Sequence, residues 1–354
     1  MTIVAEKYRY VVGVDTHART HTFAVIDTQS RTTIDIATFP TTHSGQSRSV
    51  AWINRRTTGA PVSVLVAIEG IGSFGAQLAQ HVAAAGFAVV ESPSPERKVN
   101  KRAGKTDAMD SERSARAAAN MDVTKLRKPR QGQERAALRV LVVAREEMAR
   151  TRTAALNALI ALLRTIDLGI DARKPLTMAH LRAVAAWRSR DEGVAARVSR
   201  AESVRLAGLA LDLGHTLATN KADIEDLVKT LEPRLLEQTG VGPVSAAIVL
   251  AVWSHPGRVR SEAALAALAG TCPVPASSGN TVRYRLNRGG DRRLNRAINT
   301  IAMVRMHFDE ETKAYVAKRT AEGRTKREIM RSLNRYVTRQ LYRTLATNPT
   351  PTTT

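Results

Sequence analysis

The segment Val12-Gly13-Val14-Asp15 ends a short apolar run that begins at Tyr8, and it predicts a buried strand that finishes on a carboxylate. Two further strand-like segments, 22–26 and 32–39, follow with turn residues between them. Short apolar segments separated by turns are typical of neighbouring antiparallel strands. The first forty residues therefore predict a three-stranded meander whose first strand ends at Asp15.

A second buried strand is predicted after a helix over 44–56. The run Val62–Ile68 is continuously apolar, as expected of a strand covered on both faces, and Glu69 follows it directly. A helix over 74–85 and a strand over 87–90 come next. This order of elements predicts an α/β unit with a mixed sheet and helices, arranged as in RNase H-like nucleases.

Two more acids, Asp107 and Asp110, stand three residues apart at the start of the following helix and therefore project from one face. Each acid alone has an ordinary interpretation, such as a favourable charge at a helix start or a partner for Arg113. Four carboxylates gathered in one place would repel one another unless cations bind between them. The order of the elements favours such a cluster, formed by Asp15, Glu69, Asp107 and Asp110.

The cations that suit four carboxylates are Mg²⁺ or Mn²⁺, because hard divalent ions prefer oxygen ligands. Two such ions can hold the attacking and leaving oxygens of a phosphodiester. His17 and His21 lie close to Asp15 in the sequence. They are interpreted as polar groups of a loop or an edge strand and are left out of the predicted site.

The charge of the chain predicts a polyanionic partner. Its formal net charge is +22 and its sequence pI is about 11.0. Nucleic acid is the commonest such partner, and a ribosome-like or membrane-surface protein is the alternative. The single cysteine, Cys272, excludes a disulfide framework and a Cys-rich zinc site. No apolar run approaches the ~20 residues of a membrane span, and Met1–Tyr10 does not read as a signal peptide, so we expect a cytoplasmic, nucleoid-associated protein.

The remainder of the chain predicts helices. Amphipathic stretches over 133–163 and 198–231, the second interrupted near Gly214, suggest a coiled-coil hairpin. Residues 235–345 are mostly helical and strongly basic, and 347–354 are Thr/Pro-rich and expected to be disordered. We therefore predict a catalytic domain over 1–128, a helical linker or oligomerisation region over 129–234, a helical domain over 235–346 and a tail over 347–354.

The segment Gly240-Val241-Gly242-Pro243 lies between helical stretches and resembles a helix-hairpin-helix turn. Backbone N–H groups near Gly240 and Gly242 would then bind a phosphate without reading sequence. A simple turn between helices is the alternative. The other predicted nucleic-acid contacts are the basic side chains of Lys101, Arg102, Lys105, Arg283, Arg285, Arg288, Arg292, Arg293, Lys326, Arg327 and Arg331. The alternative is that these side chains only form a solvated basic surface.

These motifs resemble the DEDD transposases of insertion-sequence family 110. In the first half the resemblance lies in Gly13-Val14-Asp15, Ile68-Glu69-Gly70 and Lys105-Thr106-Asp107-Ala108-Met109-Asp110. In the second half it lies in Gly240-Val241-Gly242-Pro243, Leu268-Ala269-Gly270, Pro275-Ala276-Ser277-Ser278-Gly279 and the segment 288–294. It covers nearly the whole chain, least clearly over 171–197.

The resemblance implies a RuvC-like first domain and a recombinase that joins donor and target DNA. The family's nucleophilic serine maps onto Ser278, with Ser277 as the second assignment, since Ser277 stands where the family often has an acid. Attack by the hydroxyl would leave the DNA covalently attached to the serine and free a 3′-hydroxyl. The resemblance also implies guidance by a structured bridge RNA, and we expect a homodimer or homotetramer.

Three functions compete at this point. The first is a recombinase that depends on metal and on serine. The second is an RNase H-like junction-resolving endonuclease, which hydrolyses with water and forms no covalent intermediate. The third is a nucleic-acid-binding protein without catalysis, which leaves the acids at the strand ends unexplained. The first interpretation accounts for both the acids and the serine segment.

Overall fold

A computed structural model describes residues 2–93, 106–130, 132–276, 284–285, 287 and 289–347. The chain divides into two compact units, Met1–Arg130 and Gln131–Thr354. Each unit has its own buried apolar core.

The first unit contains a five-stranded mixed sheet in the order β3-β2-β1-β4-β5. The first three strands form an antiparallel meander, whereas β4 runs parallel to β1 and β5 runs parallel to β4. The meander and the mixed sheet predicted from the sequence are confirmed. The strands are β1 Tyr10–Thr16, β2 Thr20–Asp27, β3 Thr33–Pro40, β4 Val64–Ile68 and β5 Ala88–Glu91.

Helices cover both faces of this sheet. Trp52 and Leu78 pack with even-numbered residues of β1 on one face, and Ala115 and Ala118 pack with Val11 on the other. Three layers around a mixed sheet of this strand order form the RNase H-like fold predicted for this part of the chain. The helices of the unit are α1 Val4–Lys7, α2 His43–Arg56, α3 Ala76–Ala84 and α4 Asp107–Ala119.

The second unit begins with a helical hairpin made of α5 Gln133–Thr165 and α7 Val194–Leu231, with α6 Met178–Ala185 between them. The two long helices are antiparallel. Arg145 Nη1 donates to the carbonyl of Leu217 at 2.7 Å, and Arg152 Nε donates to that of Ala210 at 3.1 Å. A later residue of α5 therefore contacts an earlier residue of α7, as antiparallel helices require.

The predicted interruption near Gly214 is wrong, because α7 continues through that residue. A Cβ atom at Gly214 would lie 3.4 Å from Nε of Arg152. The glycine therefore leaves room for an arginine that crosses from α5, and its presence does not end the helix.

The remaining helices of the second unit pack into a core that also includes the end of the hairpin nearest to them. Leu138 and Val142 of α5 and Ile224 and Val228 of α7 belong to this core. A short two-stranded ribbon, absent from the sequence prediction, accompanies the helices. The elements are α8 Pro243–Trp253, α9 Glu262–Leu268, β6 Val274–Pro275, β7 Tyr284–Arg285, α10 Arg292–Phe308, α11 Glu310–Ala321 and α12 Lys326–Ala346. In the described part of the chain, none of the helices combines the length and the apolar character that crossing a bilayer requires.

Candidate metal and nucleic-acid sites

The position of Asp15 follows from the alternation of strand β1. Val11 packs in the core beneath α4, and Gly13 lies against that helix, so Asp15 continues on the same face of the sheet. Its side chain is about one-tenth exposed. A carboxylate this well buried is unfavourable unless a cation or hydrogen-bond donors lie beside it.

Gly13 lets α4 approach the sheet closely. A Cβ atom at this position would lie 2.1 Å from the carbonyl oxygen of Ser111 and 2.4 Å from the amide nitrogen of Ala115. Only a glycine fits there without displacing the helix. This close packing carries the start of α4, with Asp107, to the end of β1.

Asp107 and Asp15 meet around a histidine. Nε2 of His17 lies 3.2 Å from Oδ2 of Asp15 and 3.4 Å from Oδ1 of Asp107. One ligand atom from each of the three residues falls within 4.8 Å of the other two, and no second group of this kind occurs in the described part of the chain. Two carboxylates and an imidazole so close together form a donor set that fits a divalent ion.

His17 was left out of the site predicted from the sequence, whereas the structure includes it in this cluster. The signal that could have found it is its spacing. Residues two apart on an extended segment point to the same side, and His17 stands two residues after Asp15.

The Thr106 hydroxyl caps α4 by accepting from the amide of Met109, which fixes the helix start that carries Asp107.

Glu69 is a main-chain neighbour of the end of β1. Its amide donates to the carbonyl of Val14 at 2.9 Å, and its own carbonyl accepts from the hydroxyl of Thr16 at 2.9 Å. The residue is exposed, and it lies outside the cluster of three defined above. The backbone therefore brings Glu69 beside Asp15, as predicted from the two strand ends, while its carboxylate stands apart from the other ligand atoms.

Asp110 faces a different partner. Oδ1 of its carboxylate accepts from Nη1 of Arg113 at 3.0 Å, and the side chain is 13% exposed. It lies one turn along α4 from Asp107 and outside the cluster of three. The ion pair with Arg113 that the sequence offered as an alternative is therefore present.

His21 lies in β2 beside the cluster, opposite Thr16 in the strand register. Its ring is 1% exposed, and neither ring nitrogen has a hydrogen-bond partner within the described residues. Burial, and then the neighbouring His17, lower the pKa of His21 below its usual 6.5. The imidazole is therefore neutral near pH 7 and adds no positive charge beside Asp15.

Two family profiles match the chain. A DEDD profile of IS110 elements, described as a transposase, matches residues 12–167, and a profile described as the transposase IS116/IS110/IS902 family matches residues 232–317. The first match includes Asp15, Glu69, Asp107 and Asp110, and the second includes Ser278. This chain belongs to the IS110 family of DEDD transposases.

A curated relative of this IS110-family chain is an "Insertion element IS110 uncharacterized 43.6 kDa protein" from Streptomyces coelicolor. The two are 32% identical over 106 residues, which is 30% of this chain. The chain spans about a quarter of that relative, since the matched segment is 26% of its length.

The second profile covers the segment in which the family resemblance assigns the serine nucleophile. Ser277 and Ser278 lie outside the described residues, as do five of the predicted basic contacts, Lys101, Lys105, Arg102, Arg283 and Arg288. The elements that flank the serine segment are described, and they are the short strands β6 and β7, which pair through Val274 and Arg285.

Four of the predicted basic contacts of this IS110-family chain lie around one cavity of about 950 Å³ in the second unit: Arg285, Lys326, Arg327 and Arg331. Arg292 and Arg293 lie elsewhere, exposed at the start of α10. Nε of Arg293 donates to Oε2 of Glu146 at 2.8 Å, so this guanidinium already has a partner within the unit.

The predicted phosphate-binding turn precedes α8, in which Gly242 is the N-cap and Pro243 the first residue. The two glycines differ. Gly240 has a φ of 82°, and a Cβ atom there would lie 2.9 Å from the carbonyl oxygen of Ile301. A Cβ atom at Gly242 would meet nothing within 4 Å. Gly240 therefore has a packing role, and Gly242 is the position that a phosphate could approach.

Proposed function

We propose that this protein is a DNA recombinase of its insertion sequence, which cuts, exchanges and rejoins DNA strands in a reaction that needs a divalent cation. The observation that carries the proposal is the meeting of Asp15, His17 and Asp107 within 4.8 Å at the C-terminal end of β1, the central strand of an RNase H-like sheet. Membership of the IS110 family supports DNA as the substrate.

Asp15 and Asp107 would hold a Mg²⁺ or Mn²⁺ ion, and Glu69 and Asp110 are the further acids of the proposed site. Such an ion polarises a phosphodiester and neutralises the charge that develops on its oxygens. The chain's own part is to keep Asp15 dehydrated and fixed against α4, and to hold Asp107 at the capped start of that helix. His17 completes the donor set from the same side of the strand.

The proposed nucleophile is the hydroxyl of Ser278. Its oxygen gives up its proton and forms a bond to phosphorus while the bond from phosphorus to the 3′ oxygen breaks, and the departing 3′ oxygen takes up a proton. The DNA is then joined to the protein through a phosphoserine ester. Attack of a second 3′-hydroxyl on that ester restores a phosphodiester and the serine without ATP.

A structured bridge RNA encoded by the element is the proposed guide, and donor and target DNA are the proposed partners of a homodimer or homotetramer. The excess of 54 Lys and Arg over 32 Asp and Glu provides positive charge for more than one nucleic acid. We propose that RNA pairing, and not side-chain contacts with bases, selects the sites.

The test is the capture of a covalent protein–DNA adduct. The purified chain is incubated with Mg²⁺ or Mn²⁺, labelled DNA that carries the sequences flanking its gene, and RNA transcribed from them, and the mixture is run on a denaturing gel. We expect an adduct with the wild-type chain and with Ser277→Ala, and none with Ser278→Ala or Asp15→Asn. Omission of the RNA should also remove it.

Two outcomes contradict the proposal. An adduct that persists in Ser278→Ala and disappears in Ser277→Ala moves the nucleophile to the neighbouring serine. If the DNA is cut and neither end of the cut is attached to protein, the reaction is hydrolysis by a junction-resolving endonuclease. Mapping the bound peptide by mass spectrometry assigns the serine directly.

A further inference from the structure

A cavity of about 950 Å³ in the second unit is lined mainly by α12, the start of α10 and the segment Gly270–Pro273. Among the described residues that line it, there are five arginines and one lysine, and there is no aspartate or glutamate. Concave sites of roughly 300–1,000 Å³ are the size that holds small organic groups. Its lining therefore fits an anionic ligand with the dimensions of one or two nucleotides.

The arginines of α12 form a regular row. Arg327, Arg331, Arg335 and Arg339 are spaced four apart, so they lie along one side of the helix at steps of about 6 Å. A step of this length is comparable to the separation of successive phosphates in an extended strand. The row follows a single backbone more closely than it follows the two backbones of a duplex.

Glu262, at the start of α9, holds two members of this row in place. Its Oε1 forms an ion pair with Nη2 of Arg335 at 2.8 Å and accepts a hydrogen bond from Nε of Arg339 at 3.0 Å. Because both guanidinium groups are oriented before a ligand arrives, less conformational entropy is lost on binding. The carboxylate uses only part of each guanidinium, which leaves further N–H donors for phosphate oxygens.

Two residues of the cavity lining each carry a buried polar atom that has no hydrogen-bond partner among the described residues. Nη1 of Arg335 and Oδ1 of Asn334 are buried, and neither has a hydrogen-bond partner within the described residues. The other amide atom of Asn334 contacts Oδ1 of Asn299 at 3.4 Å. Buried polar groups are rarely left without a partner, so an unused donor and an unused acceptor on two residues of one lining favour a ligand that offers both. The edge of an unpaired nucleobase has this property.

An aromatic ring completes the arrangement. Tyr336 lines the cavity and is 48% exposed. Tyr315 packs edge-on against it with ring centroids 5.7 Å apart, and the guanidinium of Arg339 lies 5.9 Å from its centroid. A supported but exposed tyrosine beside a row of arginines provides a stacking surface for a base.

We propose that this cavity binds unpaired nucleotides of a single nucleic-acid strand, with phosphates on the arginine row of α12 and a base against Asn334, Arg335 and Tyr336. The proposal deepens the recombinase function proposed above and rests on it for the choice of nucleic acid as the ligand. A displaced DNA strand and an unpaired stretch of RNA have the same chemistry at this site. A base within a duplex is excluded, because its faces are stacked on its neighbours and cannot lie against Tyr336.

The test measures binding without catalysis. Fluorescence anisotropy in EDTA compares the full chain with labelled 12-nucleotide single strands of DNA and of RNA, and with the corresponding DNA duplex. We expect Tyr336→Ala to weaken single-strand binding by about tenfold, the loss typical of one stacked base. Asn334→Leu should weaken it by about as much, because the base then lacks a hydrogen-bond partner in the cavity. The same variants should leave duplex binding unchanged. Arg331→Ala and the exposed Arg190→Ala remove one positive charge each, and only the first should reduce single-strand affinity beyond the general effect of charge.

The affinities for single-stranded DNA and single-stranded RNA show which of the two is the ligand of this cavity, because the ligand is the strand that binds more tightly. Cross-linking with 5-iodouracil in the same strand should attach it to the peptide that contains Tyr336, which tests the position without any substitution. Equal losses on single strand and duplex, no loss on either, or a cross-link outside the cavity would overturn the proposal. Ser278→Ala should bind the strand as the wild type does, so a failure of the serine chemistry and a failure of this cavity give different results.

Discussion

Gly13 lies directly against Ser111, so that a Cβ atom on the glycine would stand 2.1 Å from the carbonyl oxygen of the serine. This contact sets how closely α4 approaches β1, and thereby the separation of Asp107 from Asp15. The acid cluster therefore depends on a residue that has no functional group. Its consequences can be measured separately for folding and for metal binding.

Gly13→Ala should destabilise the first unit by about 1–3 kcal/mol, because the added methyl group forces α4 away from the sheet. It should also weaken the binding of Mn²⁺, since Asp107 moves with the helix. Urea unfolding and calorimetric titration with Mn²⁺ measure the two effects. Gly72→Ala is the control, because a Cβ atom there would meet nothing within 4 Å. Equal stability of the two variants would show that α4 is not held by this contact.

Asp15→Asn and Asp107→Asn should each lower the affinity for Mn²⁺ by at least about tenfold, because each removes a charged ligand from the cluster. Calorimetric titration of the folded variants is the measurement. Asp27→Asn is the matched control, since Asp27 pairs with Tyr10 at the opposite end of β1 and forms an ion pair with Arg9. A similar loss in Asp27→Asn would mean that net charge, and not the cluster, governs the affinity.

His17→Gln should weaken Mn²⁺ binding more than Mg²⁺ binding, because an imidazole nitrogen is a better ligand for Mn²⁺ than for Mg²⁺. The ratio of the two affinities, measured by titration, should therefore fall toward one. An unchanged ratio together with unchanged affinities would indicate that His17 only contacts the two carboxylates and takes no part in holding the ion.

The stability of the first unit should depend on pH through Asp35. The hydrogen bond from Arg56 is the largest influence, and with those from Ile36 and Trp52 it outweighs burial and holds the pKa of Asp35 below its usual 3.8. A lowered pKa in the folded state means that the stabilisation is complete above the unfolded value and is lost as the pH falls through the folded value. The urea concentration at the unfolding midpoint of the wild type should therefore decrease as the pH falls below 3.8. Asp35→Asn and Arg56→Gln should both reduce this dependence of the midpoint on pH. A wild-type slope retained in both variants would exclude Asp35 as its source.

The two glycines of the turn before α8 should respond differently to alanine. Gly240→Ala should lower the stability of the second unit by about 1–3 kcal/mol, since its φ of 82° and the nearby carbonyl of Ile301 both oppose a side chain. Gly242→Ala should fold normally, and any loss of DNA affinity in it would come from hindered approach of a phosphate. Thermal unfolding and anisotropy separate the two effects, and a stable Gly240→Ala would remove the packing explanation.

Much of the fold could be predicted from the sequence because it follows from local patterns. The short apolar segments around Asp15 and Glu69 predicted the strands, and the helical spacing of Leu138, Leu141 and Val142 predicted α5. The ends of elements were also predictable where a side chain caps them, as Thr106 does for α4. The error at Gly214 arose because a glycine within a helix was interpreted from its own conformational preference, whereas packing of α7 against α5 keeps the helix continuous.

The candidate site was predictable only in part. The acids could be found because a carboxylate at the end of a buried strand is unusual. The two-residue spacing could have placed His17 beside Asp15, but its distance from Asp107 depends on how far α4 advances over β1, and a packing distance leaves no signal in the sequence. The cavity beside α12 was equally hidden, because its lining combines segments that lie more than fifty residues apart.

The sequence by itself determined the order of strands and helices, the excess of positive charge and the four acids, because each of these depends on side-chain chemistry and on the spacing of neighbouring residues. Only the tertiary structure decided which of the acids share a site, which arginines are held by Glu262 and which face a cavity. The physical reason is that distances of 3–4 Å between side chains from separate elements are set by the packing of whole helices and sheets, where one absent methyl group at Gly13 allows two elements to touch.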